Sequence, residues 1–126
     1  MANPGFIKNF DAASAIGSHR IIAMFNVDFT VQQSASVSQP VVGVSEHGST
    51  DNGRCDVVMT QTGVVEFGGN VKTGDVLIPD AEGRAIKFDK ANHAEDDIVW
   101  ALGTALEDGD EGTIGTSTIS PFMIVK

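Results

Sequence analysis

Tyrosine is absent from the sequence, and cysteine and tryptophan occur once each. The single cysteine, Cys55, excludes an intramolecular disulfide and a cysteine-based zinc site. No apolar run reaches the length of a membrane span, and the N-terminus lacks the basic and apolar regions of a signal peptide. These absences predict a soluble protein made in a reducing compartment, with no membrane partner.

Basic residues are also few. The chain has 8 Lys and Arg against 17 Asp and Glu, which gives a formal net charge of −9. Phosphate contacts need clustered Lys and Arg, so this balance argues against a nucleic-acid partner. The same charge favours solubility and repels polyanions.

Glycine is abundant, with 14 residues, and short apolar runs alternate with turns. The pattern is clearest in residues 63–88, GVVEFGGNVKTGDVLIPDAEGRAIKF. Gly68-Gly69-Asn70 can adopt the positive φ of a tight turn, and Pro79 ends a strand because it cannot donate to a ladder. We therefore predict an all-β fold, either a small β-barrel or a β-sandwich.

Alternating apolar and polar residues place further strands along the chain. They are predicted at residues 20–32, 41–45, 54–60, 98–106, 113–119 and 121–125. Residues 89–97 (DKANHAEDD) permit one short helix near residues 91–97, and a charged loop fits equally well. The prediction is thus a β-protein with at most one short helix.

Two stretches of the chain resemble each other. Residues 41–45 (VVGVS) and 101–106 (ALGTAL) are each followed by an acidic loop and a strand, which starts after Gly53 or Gly112. The shared order and similar spacing predict a duplicated strand–loop–strand element. A chance similarity between two short units is the alternative.

The N-terminal segment fits no regular element. Residues 1–17 scatter apolar side chains among Asn, Gly, Asp and Ser. We predict an extended arm that becomes ordered on a partner, followed by a single β-rich domain over residues 18–126. An arm folded back on its own domain is the alternative.

Reactive groups are sparse. A Cys55 thiolate could pair with His47 or His93, but a lone cysteine beside valines in a strand is typical of a small core residue. The three histidines, including His19, lack the spacing of a metal chelate. No Gly-x-Ser-x-Gly motif occurs. The sequence therefore predicts no catalytic residue, no metal site and no cofactor.

Acidic runs and one lysine suggest two other ligand chemistries. Residues 95–97 and 108–111 could offer oxygen ligands to calcium, although neither has the spacing of a helical calcium hand, and solvated turns explain both. Residues 71–77 with the Asp-Lys-Ala turn at 89–91 look like a lipoyl or biotinyl carrier domain, which implies modification of Lys90. The turn at residues 79–83 interrupts that pattern.

Segments over nearly the whole length resemble, in their order, small tailed-phage proteins of the capsid cement or head decoration family. The matching segments are residues 3–5, 18–22, 42–45, 55–58, 63–66, 68–77, 80–85, 103–107 and 112–122. The resemblance implies a non-enzymatic β-rich protein, made in the bacterial cytoplasm and bound to the outer surface of the virion head. There it would join neighbouring major capsid subunits and stabilise the shell.

The same resemblance implies self-association, as trimers on local threefold axes by analogy with lambda-type decoration proteins. Dimers across twofold axes are the alternative. A carrier domain and a decoration protein that binds host-surface glycans are the alternative functions.

A bridging protein needs a rigid body and an arm or free strand edge that can join another sheet. We assign the capsid contacts to Pro4, Phe6, Ile7 and Phe10 of the arm and to Phe122 and Ile124 of the terminal strand. The arm hypothesis predicts that deletion of residues 2–16 leaves a folded protein that no longer binds heads.

Overall fold

The computed structural model describes residues 6–49, 53–89 and 97–125, and every regular element in these ranges is a β-strand. The strands are β1 (Ile7–Ala12), β2 (Arg20–Met24), β3 (Thr30–Gln33), β4 (Val41–Ser45), β5 (Arg54–Val58), β6 (Gln61–Glu66), β7 (Val76–Pro79), β8 (Ala85–Lys87), β9 (Ile98–Ala101), β10 (Gly103–Thr104), β11 (Ile114–Ile119) and β12 (Phe122–Val125). The all-β prediction is confirmed. The short helix considered near residues 91–97 lies, apart from Asp97, outside the described residues.

Strands β1 to β5 close into a barrel, barrel one, with the neighbour order β1–β3–β2–β4–β5. β1 pairs in parallel with β3 and antiparallel with β5, and these contacts complete the ring. Successive strand residues face opposite sides, so alternate side chains enter the barrel. Its buried core comprises Phe10, Ala12, Ile16, Ile22, Val31, Cys55 and Val57.

The structure corrects the prediction of a separate N-terminal arm. Residues 7–12 form strand β1 of barrel one, which is hydrogen-bonded to β3 on one side and to β5 on the other. Phe10 and Ala12 face the core, whereas the neighbouring polar residues Asn9 and Asp11 face outward. This alternation is short and mostly polar, which hides the strand in the sequence. Residues 6–17 instead fold back on their own domain, which agrees with the alternative prediction.

A second correction concerns the strand predicted over residues 20–32. β2 ends at Met24 and β3 begins at Thr30, and a five-residue loop turns the chain between them. Phe29 in this loop has a φ of 53°. Bulky residues rarely adopt this left-handed conformation, so the alternation of Val27 and Phe29 suggested a strand where the chain reverses direction.

The second half of the chain repeats the arrangement of barrel one. β6 pairs with β11, and β8, β7 and β10 form one sheet. A parallel bridge from Phe67 to Ala85 links the end of β6 to β8, and an antiparallel bridge from Ala105 to Ser117 links the end of β10 to β11. The order β6–β8–β7–β10–β11 reproduces that of barrel one, so these five strands are called barrel two.

Register confirms the equivalence of the two barrels. A shift of 60 residues carries the Ser45–Val57 pair onto the Ala105–Ser117 bridge. The same shift carries Gly43 onto Gly103, and a Cβ on either glycine would overlap the carbonyl oxygen of the facing strand. The predicted strand–loop–strand element is therefore present twice, within a larger repeat of five strands.

The earlier strands of each half also correspond, with a shift of 55 residues for β1 and β2 and of 54 residues for β3. Ile16 exchanges two backbone hydrogen bonds with Ser49, and Val71 exchanges the equivalent two with Gly109. His19 has a φ of 56° where Gly74 has a φ of 94°. Equivalent backbone bonds and turns thus extend over both halves.

The barrels meet through a continuous apolar cluster. Ile21, Val44 and Val58 alternate with core positions of barrel one and so point outward from it. They pack with Val65 and Leu102 of barrel two, and all five side chains are at most 2% exposed. The two barrels therefore share buried surface and act as one body.

Strands β9 and β12 form a two-stranded ribbon that belongs to neither barrel. Its inner face packs on barrel two, where Val99 and Ala101 join Ile78 of β7 in a small buried cluster.

Candidate partner-binding surfaces

The predicted N-terminal contact residues have different surroundings. Phe6 and Ile7 are 55% and 46% exposed, and Phe6 is held to β5 through its carbonyl, which accepts the Met59 N–H at 2.8 Å. Phe10 is only 5% exposed and lies in the core of barrel one, so it is not a surface anchor. Pro4 lies outside the described residues.

The terminal strand β12 exposes more apolar surface than predicted. Phe122 is 39% exposed, whereas Ile124 is half-buried against the cluster of Val99. Met123 and Val125, which were not predicted as contacts, are 55% and 67% exposed. They alternate with Phe122 and Ile124, and successive strand residues face opposite sides, so the sequence pattern places Met123 and Val125 on the opposite face of β12. Among the described strands, β12 pairs only with β9.

Cys55 is a buried core residue. Burial, with a smaller contribution from the charge of Asp56, raises the pKa of its thiol. A protonated, inaccessible thiol is unsuited to nucleophilic attack. His19 lies with its Nδ1 3.4 Å from the Val64 carbonyl, and His93 lies outside the described residues.

Asp108, in the acidic run 108–111, binds the turn that contains Thr73. Asp108 accepts hydrogen bonds from the backbone N–H of Thr73 at 2.7 Å and from its hydroxyl at 2.9 Å. These two bonds lower the pKa of Asp108. In the described part of the chain, no three His, Cys, Asp or Glu residues are grouped to hold a metal ion. Lys90 lies outside these ranges.

A charged cluster lies where the two barrels meet. The Arg84 guanidinium lies 3.2 Å from Asp80 and 3.7 Å from one oxygen of Glu66. The other Glu66 oxygen lies 3.0 Å from Arg20 Nη1, so Glu66 links two arginines. Because Arg20 Nη1 has no hydrogen-bond partner among the described residues, this link is Coulombic. The cluster therefore joins Arg20 of barrel one to Glu66 of barrel two.

The β2–β3 loop carries an exposed apolar patch that sequence reasoning missed. Phe25, Val27 and Phe29 are 38%, 55% and 66% exposed. Lys8 Nζ lies 5.6 Å from the centroid of the Phe29 ring and 5.9 Å from that of Phe10, within cation–π range. These residues border an open groove of about 520 Å³.

In the described ranges, no helix is long and apolar enough to cross a bilayer.

The two-barrel fold is one that a bacteriophage head component also has. It is similar to the crystal structure of the head fibre gp8.5 N base of bacteriophage phi29, with a TM-score of 0.68 and 20% sequence identity. The similarity covers 91% of this chain and 93% of that chain, so it includes both barrels. No protein-family model and no curated protein matches this chain. The likeness establishes the shared fold.

Proposed function

We propose that this chain is a non-enzymatic structural protein of a tailed-phage virion, bound to the outer surface of the head. The observation that carries the proposal is the similarity to a head fibre base over 93% of that chain. The order of short segments in the sequence supports the same role, through the resemblance to head decoration proteins. The partners would be the major capsid protein and further copies of this chain, as trimers or dimers.

The structure suits a cementing role physically. Two barrels with a shared core form a rigid body, which can contact neighbouring capsid subunits without deforming. A protein that binds only the assembled shell stabilises it by mass action, because dissociation of the shell would require release of the bound protein. Shape and contact area then provide the function, and no reactive group is needed.

Exposed apolar side chains at two places are the proposed capsid contacts. Phe6 and Ile7 present one site at the start of β1, and Phe122 presents another on the free edge strand β12. On the side of β12 that pairs with no described strand, backbone groups can add to a strand of a neighbour.

Addition of the purified protein to heads that lack it tests the proposal. We expect saturable co-sedimentation with the heads and a higher temperature of head disruption. Absence of binding to heads of the phage that encodes the chain would contradict the proposal. A matched control is the same protein added to heads that already carry it, where we expect no additional binding.

Two alternative functions have separate outcomes. A carrier domain would gain the mass of lipoate or biotin on Lys90 when a ligase is present. A glycan-binding decoration would be retained on cells or glycan arrays. Trp100, the residue best suited to stack on a sugar, packs partly buried against the shared core, which disfavours glycan binding.

A further inference from the structure

One end of barrel two is filled by barrel one. Gly63, Val65, Leu102 and Ile119 line this end, and all are buried. The valine and isoleucine side chains that point outward from barrel one pack onto them in a single cluster. Barrel two therefore shows what the corresponding end of such a barrel can bind.

Gly63 makes that contact possible. A Cβ at this position would lie 2.7 Å from Val44 Cγ2, closer than carbon atoms approach. The absence of a side chain at residue 63 thus admits Val44 of barrel one into the end of barrel two.

The equivalent end of barrel one, here called the mouth, is open. The 55- and 60-residue shifts place Lys8 at the position of Gly63, Phe10 at that of Val65, and Met59 at that of Ile119. With Met24 and Val42, these residues line the open groove beneath the β2–β3 loop. The outward face that fills barrel two has no counterpart over this mouth in the described ranges.

The loop beside each end differs in the same way. In barrel two, the Gly83 carbonyl accepts the Ile21 N–H at 2.7 Å, so the β7–β8 loop binds to barrel one. In barrel one, the equivalent position is Phe29, because the Ala12–Val31 pair corresponds to the Phe67–Ala85 bridge and β3 is thus offset from β8 by 54 residues. Phe29 also has a positive φ, although glycine would adopt one more readily. Phe29 thus keeps an exposed aromatic ring at a position where the backbone conformation favours glycine.

The chemistry of the mouth identifies its occupant. Lys8 Nζ lies over the Phe10 and Phe29 rings and forms no ion pair with the described residues, although Asp28 lines the same groove, so a carboxylate of a partner can pair with it. A second copy of this chain is a poor match, since the equivalents of Val44 and Val58 in barrel two are Thr104 and Thr118. Lys8 would also occupy the space that Gly63 leaves free.

We propose that the mouth of barrel one binds a strand or loop of a different protein that presents branched aliphatic side chains beside a carboxylate. The aliphatic groups take the place that Val44 and Val58 occupy in barrel two, and the carboxylate pairs with Lys8. The identity of the partner as a subunit of the head shell rests on the proposed function.

Two substitutions test this proposal by titration of heads that lack the protein. Phe29→Gly removes the ring and relieves the backbone, so we expect an unchanged or higher melting temperature with binding weakened about tenfold or more. Lys8→Met keeps the apolar stem and removes the charge, so binding weakens and depends less on salt. Ile114→Ser and Lys72→Met are matched controls on barrel two, expected to bind within about twofold of the wild type.

The outcomes separate the two proposals. If the wild type binds heads and both mouth variants bind equally well, the mouth proposal is wrong and the proposed function stands. If the wild type does not bind heads, the proposed function fails. The mouth is then judged by a benzoylphenylalanine in place of Phe29, cross-linked in infected cells. A cross-link mapped to an apolar, carboxylate-bearing segment of another protein upholds it, and a cross-link only to a second copy, or none, overturns it.

Discussion

Barrels one and two share strand order and register, but they fill their interiors differently. Barrel two concentrates its core volume in Phe67, which is fully buried. A Cβ on Gly115 would overlap this ring, and one on Gly109 would lie 2.7 Å from it. At the positions of Phe67 and Gly115, barrel one has Ala12 and Cys55, both buried. The same arrangement of strands thus accommodates a large and a very small residue in barrel two, and two residues of intermediate size at the equivalent positions of barrel one.

The surfaces of the two barrels differ more than their cores. Barrel two uses the end lined by Gly63 and Val65, together with its β7–β8 loop, to bind barrel one. In barrel one the corresponding end and loop remain exposed and apolar. The same two structural features thus serve an internal contact in one half and are available for an external contact in the other.

The largest expected effect comes from deletion of residues 2–16. Loss of β1 opens barrel one and leaves β3 and β5 each unpaired along one edge, so we expect no cooperative unfolding transition. This outcome replaces the expectation of a folded, armless protein. Thermal unfolding followed by circular dichroism measures it.

Deletion of residues 121–126 is the matched control, because β12 pairs only with β9 among the described strands. We expect this variant to stay folded with reduced stability. If the variant that lacks residues 2–16 were stable and unfolded cooperatively, this result would contradict the role of β1 in closing barrel one.

A smaller effect is expected for Phe67→Ala. Removal of this buried ring leaves a cavity and should lower the free energy of unfolding by about 3–5 kcal/mol. Gly115→Ala should cost about 1–3 kcal/mol through overpacking against the same ring. Denaturant titration measures both.

The two positions should also be coupled. We expect Gly115→Ala to cost less in a Phe67→Leu background, because the smaller side chain vacates the space of the new methyl group. Gly69→Ala is the control, since a Cβ there meets nothing within 4 Å. Additive costs at residues 67 and 115 would contradict the packing described for barrel two.

The smallest effect is expected for Asp108→Asn. Hydrogen bonds from Thr73 lower the Asp108 pKa, so the carboxylate stabilises the fold above its unfolded pKa of about 3.9. This contribution is lost as pH falls through the lowered folded pKa. Barrel one has Gly48 at the equivalent position and therefore no counterpart.

Denaturant titrations across the acid range measure this contribution. The wild type should lose its advantage over Asp108→Asn as pH decreases below the ordinary aspartate range. An advantage that persists unchanged at the lowest pH would show that the Thr73 contacts do not depend on the charge.

Much of the fold follows from local sequence patterns. Pro79 ends β7 as predicted. Gly43 and Gly103, at equivalent positions in the two barrels, mark close approaches between strands. The closure of barrel one was not predictable, because β1 pairs with strands distant in sequence and its inward pattern is only two residues long. The Phe29 turn was hidden because its residue type normally avoids a positive φ.

The candidate contacts were predicted less completely than the fold. Composition identified Phe6, Ile7 and Phe122 as apolar residues near the chain ends, and all three are exposed. Phe10 has the same residue type but faces inward, a difference that depends on strand register. The open mouth could not be predicted from the sequence, because its lining residues come from segments that are distant along the chain.

Cryo-electron microscopy of heads saturated with this protein would show where it binds and which surface faces the shell. We expect two-barrel density on the outer surface, in contact with neighbouring capsid subunits and with the mouth of barrel one against the shell. Heads without added density, or density in which that mouth faces solvent, would contradict it.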